Sequence, residues 1–194
     1  MFQATCQAHR QRVIPPANTR PVRGFSHDDS RFGLLTMRRR RRTARGVPPV
    51  GPVQQVFEWW SVDGAVEPTT GDRCCLERPS LNADLYQLCI EAFAHACPDR
   101  LNLLRLDNSG AHTASRLTLP ENIRRLFLPP AGPALNPLAR VWREPKDDLA
   151  WRQCTGLEAQ QDDLGDLLRA DEASTRQTRT GYPDLVEAID ARCV

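Results

Sequence analysis

The chain has 194 residues, a formal net charge of +2, and 40% hydrophobic and 26% charged residues, which is ordinary usage for a globular protein. This composition excludes a collagen-like or wholly disordered chain, and the length corresponds to one to one and a half domains. No run approaches the roughly 18 consecutive apolar residues of a membrane span, and the N-terminus lacks the apolar stretch of a signal peptide. We therefore expect a cytoplasmic protein with no membrane partner.

Positive charge is concentrated toward the N-terminus. Residues 1–54 contain eleven arginines and two acidic residues, whereas the remainder contains 15 basic and 22 acidic residues. Clustered arginines attract the phosphate backbone of a nucleic acid without reading its sequence. DNA contact is thus one interpretation of this region, and a solvated basic segment is the other. The arginines concerned are Arg38, Arg39, Arg40, Arg41, Arg42 and Arg45.

The first part of the chain has no sustained hydrophobic period and contains Pro15, Pro16 and Pro21. These features predict a poorly ordered leader over residues 1–25 and a single domain over residues 26–194.

An extended apolar segment over residues 53–62 predicts a strand, in which the Trp59-Trp60 pair is expected in the core or on the sheet surface rather than stacked on bases. Asp63-Gly64 then predicts a tight hairpin. Residues 74–76 would continue a three-stranded antiparallel meander through a turn at Thr70-Gly71.

Apolar residues recur every three or four positions over residues 82–96, which predicts a helix capped by Asn82 and stopped by Pro98. Short apolar runs at residues 101–106 and 123–128 predict two buried strands. Strands interleaved with helices are typical of the α/β class.

Further along the chain, Asn136-Pro137 is typical of a helix start, and Pro145 is expected to interrupt that helix. Acidic stretches at residues 160–170 and 182–189 predict two more helices.

The seven cysteines are scattered and never spaced C-x-x-C, so reduced thiols are expected rather than disulfides or a zinc knuckle. His9, His27 and His95 show no metal-ligand spacing either. The strongest chemical signal is a pair of acids, Asp28 and Asp107, each placed where a strand is expected to end.

Four ordered blocks around these acids resemble the DDE-superfamily transposases of bacterial insertion sequences, in their mariner-like branch. The blocks are Asp-Asp-Ser-Arg-Phe-Gly-Leu at 28–34, Gly-Ala-Val-Glu-Pro at 64–68, Asp-Asn-Ser-Gly-Ala-His at 107–112, and the segment 128–146 with its Leu-Pro-Pro and Asn-Pro groups. The resemblance covers roughly residues 26 to 190. It implies an RNase H-like mixed sheet flanked by helices.

The resemblance also implies a metal-dependent phosphoryl transferase. Asp28 and Asp107 would be the first two of three carboxylates that hold two magnesium or manganese ions. The third acidic position is occupied by Ala139, whose methyl group cannot ligate a metal. Asn108 and His112 would be neighbours of the site, with His112 either a hydrogen-bonded structural residue or a substrate contact.

Transposase-type DNA cleavage and strand transfer, impaired by Ala139, is the function that this resemblance implies. Glu144 is not expected to substitute, because five helical positions turn it about 140° away from Ala139. The alternative is a non-catalytic remnant that binds DNA or dimerises, either with itself or with an intact transposase. A ribonuclease or resolvase of the same fold is a third class. The weakly apolar approach to Asp28 and the lack of a helix-turn-helix unit suggest a truncated or frame-disrupted gene.

Overall fold

The computed structural model describes residues 13–37, 39, 42–48, 50–129 and 136–182, and over these it forms a five-stranded sheet with helices on both faces. The strands are β1 (Val22–Gly33), β2 (Trp59–Val66), β3 (Arg73–Arg78), β4 (Leu101–Leu106) and β5 (Ile123–Phe127). The helices are α1 (Ala83–Ala96), α2 (Gly110–Thr113), α3 (Leu138–Val141), α4 (Arg143–Asp148), α5 (Leu157–Ala170) and α6 (Ala173–Thr180). The predicted α/β class, a mixed sheet flanked by helices, is confirmed.

The sheet has the order β3-β2-β1-β4-β5. β1, β2 and β3 form an antiparallel meander, while β4 and β5 run parallel to β1. Parallel neighbours need a crossover connection, and α1 lies in the connection from the meander to β4. The central strand β1 therefore joins the antiparallel and parallel halves.

Alternation along β1 divides the apolar residues between two cores, because successive side chains of a strand point to opposite faces. Phe25 packs with Tyr86 and Ile90 of α1 on one face. Phe32 packs with Trp60 and with residues of α3 and α5 on the other face. Both faces of the sheet are thus covered.

The predicted helix over residues 82–96 is confirmed. Asn82 caps it, with its side-chain oxygen accepting a hydrogen bond from the Leu85 N–H at 2.9 Å. The two short apolar runs are confirmed as β4 and β5.

The boundary between leader and domain was placed too late. β1 begins at Val22, and residues 24–27 are buried. The small residues Gly24 and Ser26 carry no hydrophobic signal, yet they pair with Leu103 and Arg105 of β4. Parallel pairing with an apolar neighbour, rather than apolar content of its own, makes this segment a strand. Residues 1–12 lie outside the described part of the chain.

The hairpin predicted at Asp63-Gly64 is wrong, because both residues lie inside β2, where they pair with residues of β1 on one side and of β3 on the other. Gly64 is needed there for a packing reason: a Cβ at this position would lie 2.5 Å from the Trp142 ring. The connection from β2 to β3 instead uses the predicted turn at Thr70-Gly71, where Gly71 has φ of +74°.

The predicted interruption near Pro145 is confirmed, with the break falling at Trp142 between α3 and α4. Proline has no N–H to donate to the carbonyl of Val141, so one continuous helix is not favoured. The helix predicted over 160–170 is confirmed as part of α5. α6 was missed because its sequence is almost wholly polar, and the helix predicted over 182–189 lies, apart from Tyr182, outside the described residues.

Within the described ranges, no helix is long and apolar enough to cross a membrane. Five cysteines in these ranges carry free thiols, as expected: Cys74, Cys75, Cys89, Cys97 and Cys154.

Replacing Gly64 with alanine should destabilise the protein by about 1–3 kcal/mol, because the added methyl group overpacks the Trp142 ring. The free energy of unfolding in urea measures this effect. Gly110→Ala is the matched control, since a Cβ at Gly110 meets nothing within 4 Å. Equal stability of the two variants would refute the packing explanation.

Candidate active site

Asp28 and Asp107 lie at the carboxyl end of the parallel pair β1 and β4, close enough for the charge of Asp107 to act on the pKa of Asp28. The last paired residues are Ser26 and Arg105, and two further steps along each strand reach Asp28 and Asp107. Residues in register share a face, and neighbouring strands are separated by roughly 4.8 Å. Asp107 directly follows β4 as predicted, whereas Asp28 lies within β1, which continues to Gly33 because it pairs with β2.

Negative charge is crowded at Asp28. Burial, followed by the charge of Asp29 and then that of Asp107, raises the pKa of Asp28 to about 7, while the charge of His27 acts in the opposite direction. Burial and the charge of Asp63 also raise the pKa of Asp29. The described residues thus place several carboxylates in a region where they disfavour one another's ionisation.

Asp107 is instead held in its ionised form by hydrogen bonds. Burial opposes ionisation, but the Ser109 backbone N–H at 3.1 Å and the His112 ring at 2.7 Å lower the pKa of Asp107. His112 is fully buried, with its Nδ1 on Asp107 Oδ1. Of the two roles considered for His112, the structure shows the hydrogen-bonded one.

Asn136 connects the start of α3 to the strand that carries Asp28. Its Nδ2 donates to the backbone oxygen of His27 at 2.8 Å, and its Oδ1 accepts from the Leu138 N–H at 3.2 Å. Ala139 follows in the first turn of α3 and is exposed. Its backbone N–H donates to the backbone oxygen of Asn136, with nitrogen and oxygen 3.4 Å apart. The helix that begins here is therefore anchored to the backbone of the residue before Asp28, and Ala139, where the third acid is expected, carries only a methyl group.

Glu144 pairs with Arg179 of α6. This ion pair directs its carboxylate to a different neighbour, consistent with the expectation that Glu144 does not replace the missing acid.

Lys146 is a site residue that the sequence analysis did not single out. Its Nζ lies 5.4 Å from the centre of the Phe32 ring. Burial lowers its pKa, while the charges of Asp28 and Asp29 act in the opposite direction. Lys146 is thus a cation within electrostatic reach of the acidic pair, and only its position at the end of the fourth sequence block could have indicated it.

The remaining predicted residues are less closely tied to the acids. Asn108 donates from Nδ2 to the Leu128 oxygen at 2.7 Å and so connects the ends of β4 and β5. Arg39 pairs with Asp147 at 2.8 Å, and Arg42 and Arg45 are exposed. Arg38, Arg40 and Arg41 lie outside the described residues.

A buried polar cluster lies on the opposite face of β1 from Asp28. It contains His27 and Asp63, whose Nε2 and Oδ1 atoms are 3.3 Å apart, and Arg78, whose guanidinium lies 2.6 Å from Asp63 Oδ2. The His112 ring packs against that of His27, with centres 5.2 Å apart. The sequence analysis missed this cluster because it assigned Asp63 to a turn and found no metal-ligand spacing at His27.

A known protein family matches the part of the chain that contains these residues. Residues 24–158 match the family model described as DDE superfamily endonuclease. An uncharacterised protein, y4pE/y4sA of Sinorhizobium fredii (strain NBRC 101917 / NGR234), is 33% identical over 91 residues, which are 46% of this chain and 67% of that protein.

Solved structures of the Mos1 transposase share the fold. The pre-cleavage Mos1 transpososome matches with a TM-score of 0.66 and 15% identity, covering 97% of this chain and 60% of that one. The Mos1 paired-end complex with left transposon end matches with a TM-score of 0.65 and 14% identity over the same shares. The predicted RNase H-like fold is confirmed, and the chain spans about 60% of the length of these Mos1 chains.

The raised pKa of Asp28 predicts a pH-dependent stability. An aspartate with an ordinary pKa of 3.8 in the unfolded chain and about 7 in the folded one keeps its proton longer when folded. Stability should therefore fall as pH rises from about 4 to about 7 and level off above that. Asp28→Asn should remove this loss and be more stable than the natural protein at pH ~8 by up to about 4 kcal/mol.

Urea unfolding in the presence of a chelator, at both ends of that pH range, measures the difference. Asp99→Asn, at an exposed position, is the control. A stability gap between Asp28→Asn and the natural protein that does not change with pH would contradict the shifted pKa.

Proposed function

The chain belongs to the DDE superfamily endonucleases, and we propose that it is a transposase-type DNA-cleaving domain whose strand transfer is impaired by Ala139. One observation carries the proposal: two carboxylates from adjacent parallel strands, Asp28 and Asp107, lie on one face beside the helix that holds the third position.

The donor atoms suit magnesium or manganese. Carboxylate oxygens are the ligands that these hard cations prefer. Burial, together with the charges of Asp29 and Asp107, raises the pKa of Asp28 to about 7, and a bound cation would offset these effects. Asp28 and Asp107 would hold the ion. Bound there, it would supply charge neutralisation at a scissile phosphate and acidify the attacking water or hydroxyl.

The protein's own residues prepare the two acids differently. His112 and the Ser109 N–H hold Asp107 ionised and fix its orientation. Asp28 accepts a backbone hydrogen bond from Asp29, but this lowers its pKa by less than burial and the charge of Asp29 raise it. With alanine at position 139, the site has two carboxylates instead of three. It therefore offers one negative charge fewer to offset the charge of two divalent cations. This deficit is the reason to expect weak or absent cleavage.

A second candidate function is a non-catalytic DNA-binding or dimerising remnant that interferes with an intact transposase. The alanine at position 139 favours it, because a methyl group cannot ligate a metal ion.

Restoring the missing acid tests the first function. Ala139→Glu should increase magnesium- or manganese-dependent nicking of a DNA duplex containing the element's end by at least about a hundredfold, the range of a positioned catalytic group. Ala139→Gln is the matched control, since it has the same shape without the charge. Gel analysis of nicked and joined DNA measures both steps.

Each outcome of that assay assigns a function. Nicking by the natural protein at the rate of Ala139→Glu would refute the impairment. Nicking by neither protein would refute the cleavage site and leave the DNA-binding remnant. Loss of the restored nicking in Ala139→Glu with Asp28→Asn would support the assignment of Asp28.

DNA binding is tested through the exposed arginines. Replacing Arg42 and Arg45 with glutamine should weaken DNA binding and reduce the slope of log affinity against log salt by about 0.9 for each phosphate that is no longer neutralised. Fluorescence anisotropy at several salt concentrations measures this. Arg116→Gln with Arg169→Gln is the matched control, because both are exposed arginines on other elements. An equal weakening in the control pair would show that only net charge matters.

A further inference from the structure

The buried cluster behind the acidic pair contains the donor atoms of a transition-metal site. One ring nitrogen of His27, one of His112 and a carboxylate oxygen of Asp63 lie within 4.8 Å of one another. All three side chains are nearly or fully buried, with 6%, 0% and 4% of their residues' surface exposed, respectively. Two imidazoles and a carboxylate form a donor set that suits zinc, cobalt or nickel better than magnesium.

Two of the ring nitrogens have no hydrogen-bond partner: His112 Nε2 and His27 Nδ1 are buried and unpartnered. Asp63, by contrast, lies against Arg78 and His27. An unpaired buried polar atom is costly, so these two nitrogens need an explanation that the proposed DNA chemistry does not supply.

The orientation of His112 is set by its neighbour. Its Nδ1 lies 2.7 Å from Asp107 Oδ1, and the other ring nitrogen, Nε2, is buried without a hydrogen-bond partner. A carboxylate that orients a histidine through its second nitrogen is a common arrangement around protein-bound metals.

There is space beside these donors. A cavity of about 20 Å³ is lined by His27, Asp63, Cys74 and Cys89, among others, and a cavity of this size holds about one water molecule. Cys89 also interacts with Asp63 through a side-chain hydrogen bond. A water molecule in this cavity, beside His27 and Asp63, would be the fourth ligand.

Charge does not oppose a cation at this position. Asp29, Asp63 and Asp107 all act on this region, against the guanidinium of Arg78 and that of Arg125, which donates to the His112 backbone oxygen. The carboxylates outnumber the guanidinium groups, and Arg78 engages Asp63 through Oδ2, leaving Oδ1 directed at His27.

We propose that His27, Asp63 and His112 bind one divalent transition-metal ion of the zinc class in the protein interior. This site is separate from the Asp28–Asp107 pair and does not depend on any DNA-cleaving activity. Asp107 connects the two, because it would act as an oxygen donor at one and orient His112 at the other. The ion would connect β1, β2 and α2, in the manner of a structural zinc.

Cobalt titration of the full chain, stripped with a chelator during refolding, tests the site. We expect one four-coordinate Co²⁺ per chain, with the intense visible d–d bands of such an ion, beside any weakly absorbing octahedral Co²⁺ at the acidic pair. His27→Gln should lower the Co²⁺ affinity at least about tenfold and abolish the four-coordinate spectrum. Asp28→Asn and the exposed His95→Gln should leave the spectrum intact.

Opposite results would overturn the proposal. A weak octahedral spectrum that Asp28→Asn removes and His27→Gln does not would place the ion at the acidic pair alone. If His27→Gln does not fold, X-ray absorption on the zinc-loaded natural chain counts imidazole ligands directly. Two imidazoles support the site, and one or none overturns it. Because none of these readouts involves DNA, failure here is distinguishable from failure of the proposed cleavage function.

Discussion

The parallel pairing of β1 with β4 is the constraint on which the rest of the structure depends. It brings Asp28 and Asp107 to the same end of the sheet, and it stabilises as a strand a segment that has few apolar residues of its own. Since β1 also pairs antiparallel with β2, the central strand is held along its whole length. A carboxylate inside such a strand cannot move away from its neighbours, so its charge must be offset by protons, cations or solvent.

The two faces of β1 handle that charge in different ways. On the face of Asp28, the crowded acid keeps a raised pKa, with Lys146 as the cation within reach. On the opposite face, Asp63 lies against Arg78 and His27. Asp107 and His112, located where β4 ends, belong to both arrangements. A change at either residue will therefore affect both faces of the sheet.

Sequence reasoning located the elements whose signals are local. The helix over 82–96 has its own cap and its own periodicity, and the leucine strand is apolar throughout, so both could be predicted. The local turn signal at Asp63-Gly64 led to a wrong prediction. Glycine is needed there because of a contact distant in sequence: the Trp142 ring leaves no room for a Cβ. The buried cluster on His27 was beyond prediction for the same reason: its members come from three separate elements with no shared spacing. Asp28 and Asp107 could be named from short motifs, but their register depends on β1 starting at Val22.

Lys146 is the only lysine in the sequence, and all the other residues counted as lysine or arginine are arginines. Amine-selective acylation would consequently modify one internal side chain, in addition to the chain's α-amino group. That side chain is half-buried against Phe32 and within electrostatic reach of Asp28. The chain thus carries a single chemical handle beside its acidic pair, to which a fluorophore or a cross-linker can be attached without mutagenesis.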